Sequence, residues 1–190
     1  ESVDSFCRLY PALAKYSAGG CDRIAFLNRM HPELIVHGKN YYKSTRRSNI
    51  FVPLDFSIEP RVLPEYDPEI AHHPKFIKIY LSQQYEGCYE FGRLKYCFPV
   101  ATGFVGRGGI TVTPETSFII TRKEKMHYSS LYHGAPMPFS MQLNGSNYFL
   151  HGGPVPGYPA SKGCIRHFIA HAEILFGWAA IGTPGRTVGV

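Results

Sequence analysis

The sequence predicts a mainly β domain with minor α content, preceded by a small α/β region at the N-terminus. The 190 residues include 13 Tyr, 13 Phe, 19 Gly and 15 Pro, a composition that favours strands joined by many turns. Few stretches carry apolar residues at the three- and four-residue spacing of an amphipathic helix. With 44% hydrophobic and 18% charged residues, the chain has the composition of a folded protein and the length for one sizeable domain plus a small one.

The N-terminal region is expected to span residues 1–70. A helix is predicted near its start, capped by Asp22 and carrying apolar residues at helical spacing: Ile24, Leu27 and Met30. Residues 50–54 predict a short strand. Closely spaced prolines then keep the chain extended and form the connection to the next domain: Pro60, Pro64, Pro68 and Pro74. This order of elements resembles a LysM-like wall-binding module, and a cap specific to the following domain is the alternative.

The second domain is expected to span residues 71–190 and to consist largely of strands. Apolar runs predict these strands at residues 76–81, 84–88, 94–100, 117–121, 148–150 and 187–190. The second and third of them form a predicted hairpin that turns at Gly92-Arg93. Residues 122–137 mix polar and aromatic side chains, and we expect an irregular segment there that overhangs a site. One amphipathic helix is predicted from its apolar spacing: Phe168, Ile169, Ala172 and Phe176.

Five cysteines bear on the compartment in which the protein works. Cys7 and Cys21 flank a short segment, and Cys88 and Cys97 flank the predicted hairpin. A two-residue turn at Gly92-Arg93 would place Cys88 and Cys97 opposite each other, as a cross-strand disulfide requires. Pairing these four cysteines leaves Cys164 as the odd thiol. An oxidising compartment is therefore expected, and five reduced cysteines in a cytosolic protein are the alternative.

A histidine and a cysteine near the C-terminus carry the candidate chemistry. His151 follows the predicted strand at residues 148–150, and Cys164 follows a run rich in Gly and Pro. A thiol becomes a good nucleophile when a base lies within hydrogen-bond reach, and backbone amides can receive the developing oxyanion. Gly163 allows a sharp bend just before Cys164, so that successive amides point to one spot. Because the chain is expected to turn helical from Phe168, Cys164 would lie near a helix N-terminus, which favours a thiolate.

The residues around this pair resemble a family signature. His151-Gly152, followed by Ser161-Lys162-Gly163-Cys164-Ile165-Arg166, is similar to the motif of the YkuD-type L,D-transpeptidases. Further matching segments follow the family's order at residues 99–103, 113–115, 127–130, 135–138 and 182–188, so that the resemblance covers residues 75–190. Three positions depart from the family's pattern: Thr116 replaces a common Gly, Lys162 a common His, and His167 a usual apolar residue.

The resemblance implies a β-sandwich catalytic domain and an enzyme that acts on peptidoglycan. Cys164 would be the nucleophile and His151 its general base, with the His151 ring held by the carbonyl of Gly152. The implied reaction acylates Cys164 with a tetrapeptide stem, releases D-Ala and passes the acyl group to an amine, in a 3-3 crosslink or in exchange with a D-amino acid. A hydrolase with the same Cys–His pair (an L,D-carboxypeptidase, endopeptidase or amidase) and a non-catalytic wall-binding protein remain the alternatives. No cofactor is implied.

Several neighbours are expected to support this chemistry. The amides of Gly163 and Cys164, together with that of Lys162, are the expected oxyanion donors, and the Lys162 cation is expected to favour the thiolate. Arg166 is expected to position the loop or to meet a substrate carboxylate, and Ser161 to brace the turn. Substrate contacts are expected from two further residues: Tyr158 and His133.

A zinc site is the rival interpretation of the same segment. Cys164, His167 and His171 have the spacing of metal ligands, and His151 offers a fourth. We expect no metal, because the predicted disulfides use the other cysteines and no acidic ligand stands nearby in the sequence. His167 and His171 are instead expected on the surface of the predicted helix, with His167 lining the cleft.

Charge and hydropathy limit the partners. The net charge of +6 admits an acidic partner, but the cations are scattered apart from a short cluster at residues 43–47, which is expected to be a solvated loop rather than a nucleic-acid site. No apolar run is long enough to span a membrane. The chain begins at Glu1, and we interpret it as a mature or trimmed chain that works in the periplasm or at the cell wall. The sequence leaves the oligomeric state open.

Overall fold

The computed structural model describes residues 26–29, 61–104 and 112–189. Contacts divide the chain into two compact units, Glu1–Arg61 and Val62–Val190. Residues 26–29 form a helical turn within the first unit. The rest of the predicted helix that Asp22 would cap, the predicted strand at residues 50–54, and both Cys7 and Cys21 lie outside the described residues.

The described part of the second unit consists of strands with one helix of ten residues. The strands are β1 (Phe76–Tyr80), β2 (Tyr85–Glu90), β3 (Arg93–Ala101), β4 (Ser117–Tyr128), β5 (Pro136–Leu143), β6 (Phe149–Gly152), β7 (Ile165–His167) and β8 (Pro184–Val188). The helix, α1, spans Ile169–Trp178, and a short 3-10 turn spans Pro68–Ile70. The predicted mainly β fold with minor helix is confirmed. No helix among the described residues is long and apolar enough to cross a membrane.

The strands close into a continuous ring in the order β1-β2-β3-β7-β6-β5-β4-β8. The pairs β1–β8 and β6–β7 are parallel, and the other neighbours are antiparallel. The ring consists of two sheets that share the long strands β3 and β4, so the two layers are joined at both edges. The parallel pair β6–β7 lies in the middle of one sheet, and this pair positions the candidate site.

Besides a small cluster of Ile70, Phe76 and Tyr89, one large apolar cluster fills the fold. Its fully buried members come from most of the strands and from α1: Ile77, Ile79, Val100, Ile120, Met141, Leu150, Ile165 and Leu175. Burying one such side chain stabilises the fold by about 1.5–3 kcal/mol. α1 contributes Ala172 and Leu175 to the interior, while Trp178, its last residue, packs against the cluster from the edge. Burial therefore fixes β6 and β7 from behind through Leu150 and Ile165.

The predicted Cys88–Cys97 disulfide is wrong. The β2–β3 hairpin turns at Phe91-Gly92, where both residues have positive φ (48° and 76°), and not at Gly92-Arg93. A bulge between Cys88 and Tyr89 then shifts the register, so that Cys88 lies opposite Tyr96 and not Cys97. Both thiols are free.

The predicted irregular segment at residues 122–137 is largely a hairpin. β4 continues to Tyr128 and pairs with β5 from Pro136 onward, and residues 129–135 join the two strands. The distal half of β4 is exposed or half-buried on both faces, which removes the apolar alternation that marks a strand in sequence. β7 was missed for a different reason, because three residues between a turn and a helix are too few to show any period.

Residues 62–70 pack with the strands of the second unit. The Asp67 carboxylate accepts a hydrogen bond from Lys78 Nζ at 2.7 Å, and the N–H of Leu94 donates to the carbonyl of Glu65 at 2.9 Å. The compact unit therefore begins at Val62, earlier than the boundary after residue 70 that the sequence predicts.

Candidate active site

Cys164 and His151 are brought together by the parallel pair β6–β7. The register sets Leu150 beside Ile165 and His151 beside Arg166. Extending it by one residue places Cys164 beside Phe149, and the N–H of Phe149 indeed donates to the Cys164 sulfur. Since successive side chains alternate between faces, Leu150 and Ile165 point into the core. His151 and Cys164 therefore share the opposite face of the sheet, diagonally across the two strands.

The His151 ring is buried and held in one orientation. Its Nδ1 lies 2.8 Å from the carbonyl oxygen of Gly152, which is the contact that the family resemblance implied. A carbonyl can only accept, so Nδ1 carries the proton and Nε2 is left as an acceptor. The ring of His127 stacks on Phe149, with centroids 5.0 Å apart, and closes the site on the β4 side. With its proton on Nδ1, the His151 ring leaves Nε2 free to accept a proton, as a general base must.

The pKa values of the pair are displaced in opposite directions. The pKa of His151 is lowered to about 4, mainly by burial and in part by Arg166, His167 and His127, against the opposing effect of the hydrogen bond to Gly152. Burial raises the pKa of the Cys164 thiol, while the Phe149 N–H and the Arg166 guanidinium oppose that rise. Near neutral pH the resting pair is therefore a neutral thiol and a neutral imidazole.

Two expectations about thiolate stabilisation change in the structure. Cys164 is not near a helix N-terminus, because β7 separates it from the start of α1 at Ile169. The cation that acts on the thiol is Arg166, whereas Lys162 points away, with its Nζ 4.9 Å from the centroid of the Tyr132 ring. The Lys162–Tyr132 contact instead ties the turn before Cys164 to the loop between β4 and β5.

The turn at residues 161–164 is braced internally, as expected for Ser161. The Ser161 hydroxyl accepts a hydrogen bond from the Gly163 N–H at 3.0 Å and donates one to the Cys164 carbonyl. Gly163 adopts φ +128°, and a Cβ there would lie 2.8 Å from Cε1 of Tyr148. Only glycine fits this position. Because the Gly163 N–H is engaged by Ser161, it is not available to an oxyanion in this arrangement.

A clamp beneath the turn was not predicted from the sequence. The Thr113 hydroxyl donates to the Gly163 carbonyl at 2.7 Å and accepts from the Gly103 N–H at 2.7 Å. The Thr102 carbonyl accepts from the N–H of Ser161 at 2.9 Å. Thr102 is itself fixed by the side chain of Gln84, whose Oε1 accepts from the Thr102 N–H at 2.9 Å. The sequence offered Thr113 only as part of a matching motif, with no indication that its hydroxyl bridges two strand ends.

The remaining predicted residues line the rim of the site. Arg166 is half-buried, donates to the carbonyl of Ala160 at 3.4 Å and packs against Gly153, where a Cβ would lie 3.3 Å from Arg166 Cδ. Tyr158 is 40% exposed. His133 is exposed in the loop between β4 and β5, with φ +52°. Arg166 thus contacts the segment before Cys164, while the side chains of Tyr158 and His133 are exposed.

The histidines that suggested zinc are used differently. His167 is not on the helix surface but in β7, fully buried, with Nε2 3.0 Å from Oε2 of Glu86. His171 is partly buried and stacks on Phe98, with ring centroids 4.9 Å apart. His167 follows the inward alternation of Ile165, so it points away from the face that carries Cys164. Among the described residues, no three His, Cys, Asp or Glu side chains converge as metal ligands.

Comparison with known proteins gives the family. The family model of the L,D-transpeptidase catalytic domain, YkuD, matches residues 74–187. An L,D-transpeptidase from Stackebrandtia nassauensis is similar in structure, with 21% identity, a TM-score of 0.54 and coverage of 62% of this chain and 57% of that chain. One from Xylanimonas cellulosilytica has 29% identity and a TM-score of 0.52, with 60% of each chain covered.

L,D-transpeptidase 3 from Mycobacterium tuberculosis, solved with a faropenem-derived adduct, has 17% identity and a TM-score of 0.51, again over 60% of each chain. The chain therefore spans less than two thirds of the length of each of these solved structures. None of the curated proteins matches the sequence. Since the family match covers more than half of the residues, the chain belongs to the YkuD family of L,D-transpeptidase catalytic domains.

Proposed function

We propose that this protein is a cysteine L,D-transpeptidase that transfers peptidoglycan stem peptides, with Cys164 as nucleophile and His151 as general base. The observation that carries the proposal is the shared face of the β6–β7 pair, on which a half-buried thiol and an imidazole with a free Nε2 lie diagonally. A family of acyl-transfer enzymes is the expected setting for such a pair.

The first half-reaction acylates Cys164. As Sγ attacks the carbonyl of the third residue of a tetrapeptide stem, its proton passes to Nε2 of His151, because the resting pair is neutral. The tetrahedral intermediate collapses when the bond to D-Ala breaks, and the departing amine takes the proton from His151. A thioester remains on Cys164, and His151 is neutral again.

The second half-reaction returns the enzyme to its starting state. An amine attacks the thioester carbonyl, His151 removes the extra proton of that amine, and the C–S bond breaks. The proton then returns to the leaving sulfur of Cys164, so no proton is gained or lost over the cycle. An amine from a second stem gives a 3-3 crosslink, and a free D-amino acid gives exchange.

The oxyanion is assigned to the amides of Lys162 and Cys164. The Gly163 N–H is engaged by the Ser161 hydroxyl, which leaves its two neighbours in the turn as donors. Removing one such donor from an acyl-transfer site costs about 100- to 1,000-fold in rate. The Ser161 and Thr113 hydroxyls hold the turn in this form, so the donors are set before the substrate arrives.

The substrate and the location follow from the same proposal. Peptidoglycan stems meet a rim of exposed aromatic residues, Tyr132 and Tyr158, and the cations Lys162 and Arg166 suit their carboxylates. A role in cell-wall biogenesis and cell shape places the protein in the periplasm or at the cell wall. The net charge of +6 is compatible with an anionic wall.

Product analysis tests this function. The protein is incubated with a disaccharide tetrapeptide, with and without a D-amino acid, and the products are separated and weighed. We expect the exchanged tetrapeptide, its formation abolished in Cys164→Ala and slowed about 100- to 10,000-fold in His151→Gln. His72→Gln, an exposed histidine remote from the site, is the matched control and should behave as wild type. If the only product is the tripeptide, and adding the D-amino acid does not change its amount, the protein is a hydrolase and not a transferase.

A further inference from the structure

Two buried polar side chains lie directly behind the candidate active site and have no part in the mechanism above. Glu86 of β2 and His167 of β7 are both 0% exposed, and Oε2 and Nε2 lie 3.0 Å apart. β2 and β7 are not neighbours, since β3 runs between them. Glu86 is opposite Phe98 and His167 is opposite Val100, so the contact crosses the whole width of β3.

The pair is not explained by stability. A buried carboxylate is costly to remove from water, and well-packed apolar residues of similar volume usually stabilise a core as well or better. A hydrogen-bonded pair instead fixes the orientation of its two side chains. The second carboxylate oxygen of Glu86 is held by the Cys88 thiol at 3.6 Å, so the carboxylate has a fixed orientation. Nδ1 of His167 has no hydrogen-bond partner in the described parts of the chain, so the contact with Glu86 is the polar one that orients the imidazole, and the Phe98 ring packs against it with centroids 6.3 Å apart.

From His167 the restraint reaches His151 through the backbone. The His167 carbonyl accepts a hydrogen bond from the Gly153 N–H at 2.8 Å, and His167 is paired in register with Gly152. The Gly152 carbonyl is the group that orients the His151 ring. β7 also carries Arg166 and begins directly after Cys164. A displacement of His167 along its strand would therefore move the thiol and the base relative to each other.

We infer that Glu86 and His167 are positioning residues, whose buried contact fixes β7 against β6 and thereby sets the geometry of Cys164 and His151. The inference deepens the proposed function and rests on it for the roles of that pair. An apolar side chain at position 167 would fill the same space, but it would remove the directional contact that ties β7 to Glu86 of β2.

The Glu86–His167 pair should have a second measurable effect, on the pKa of His151. The groups that act on His151 are Arg166, which shares its face of the sheet, His167, which lies on the opposite face of β7, and His127 of β4, which is paired with Glu124 at 3.4 Å. The interaction with His167 is one of the causes that lower the pKa of His151, after burial and Arg166. Replacing His167 by a neutral residue should therefore move the acid limb of the pH–rate profile to higher pH, a change that a purely structural role does not produce.

The test compares Glu86→Gln and His167→Gln with Asp67→Asn. Asp67 forms another largely buried pair, with Lys78 at 2.7 Å, in the contact between the 3-10 turn and β1, and provides a matched control. Two rates are measured on folded protein: alkylation of Cys164 by iodoacetamide, and turnover of the disaccharide tetrapeptide. We expect both Glu86 and His167 variants to lose about 10- to 100-fold in alkylation rate and in kcat, with KM nearly unchanged. Asp67→Asn should lose stability but keep both rates.

A double variant guards against misfolding of the single ones. Glu86→Leu combined with His167→Leu removes the polar pair without leaving either partner alone, so it should fold, yet its alkylation should remain slow. Wild-type rates in this double variant, or an equal loss in Asp67→Asn, would overturn the inference. The alkylation assay needs no stem peptide, so slow alkylation in the variants would support the positioning role by itself. If wild type fails to turn over the tetrapeptide, that failure counts against the proposed function and not against the positioning role.

Discussion

Replacing Gly163 by Ala tests whether the turn before Cys164 has to be built as the structure shows. Gly163 adopts φ +128°, and its added Cβ would lie 2.8 Å from Cε1 of Tyr148. Tyr148 cannot easily yield, because its hydroxyl donates to the carbonyl of Val112 at 3.2 Å. The substitution therefore combines an unfavourable backbone conformation with a clash inside a packed site.

The expected loss of folding stability in Gly163→Ala is the sum of two contributions. A non-glycine residue in a sparsely populated backbone region costs about 1–3 kcal/mol. Forcing an extra carbon into a packed site costs about 1–3 kcal/mol. We therefore expect Gly163→Ala to reduce the free energy of unfolding by about 2–6 kcal/mol. The folded fraction should also alkylate Cys164 slowly, since the adjoining amides move with the turn.

Gly145→Ala provides the matched control. Gly145 also has a positive φ, +63°, but no atom lies within 4 Å of the position that its Cβ would take. Only the backbone cost remains there, about 1–2 kcal/mol. Urea unfolding of both variants gives the two free energies, and iodoacetamide labelling gives the two thiol rates. Equal stability losses in the two variants, with unchanged labelling in Gly163→Ala, would refute the reasoning.

Three further predictions concern the pair and its support. Because the pKa of His151 is lowered to about 4 in the folded state from 6.5, the unfolded chain binds the extra proton first, so this residue should make stability fall as pH drops from 6.5 to 4, by up to about 1.4 kcal/mol per pH unit. The pKa of His171 is also lowered to about 4, so His151→Gln should reduce the slope in urea titrations without abolishing it, and an unchanged slope would exclude His151 as a source. Arg166→Gln should raise the pKa of Cys164 in the pH profile of alkylation, while Lys162→Gln should leave it unchanged. If Lys162→Gln raises this pKa and Arg166→Gln does not, Lys162 has the role that the sequence predicted. Thr113→Val should cost about 2–5 kcal/mol of stability, because it leaves two buried backbone groups without their partner; a loss below 1 kcal/mol by thermal or urea unfolding would show that the clamp is dispensable.

The proposed nucleophile and base could be picked out from the sequence because their signal is local. Two short segments indicate the chemistry by their residue types: a glycine that allows a bend precedes Cys164, and His151 stands at the end of a strand. The orientation of the base also followed, since the carbonyl that holds it belongs to the next residue. What depends on neighbouring residues in the chain could be anticipated.

Features that depend on register or on distant contacts could not be anticipated. The Cys88–Cys97 pairing failed because the hairpin turn lies one residue earlier than expected and a bulge follows it. The distal part of the β4–β5 hairpin carries no burial pattern, so it looked irregular. The Glu86–His167 contact joins residues 81 positions apart, and its only trace in the sequence was a histidine where the family usually has an apolar residue.

The resting protonation state also required the structure. Sequence chemistry favoured a thiolate next to a helix N-terminus, but β7 separates Cys164 from α1, and burial favours the neutral forms of both Cys164 and His151. Burial is a property of the packed sheet, and no local pattern in the sequence reports it.

The most direct measurement is the intact mass of the protein after brief mixing with disaccharide tetrapeptide. The proposed function predicts a covalent adduct with the mass of the substrate minus D-Ala, located on Cys164 by peptide mapping, absent in Cys164→Ala and discharged when a D-amino acid is added. A folded protein that forms no adduct, or an adduct that maps to any residue other than Cys164, would contradict the central claim.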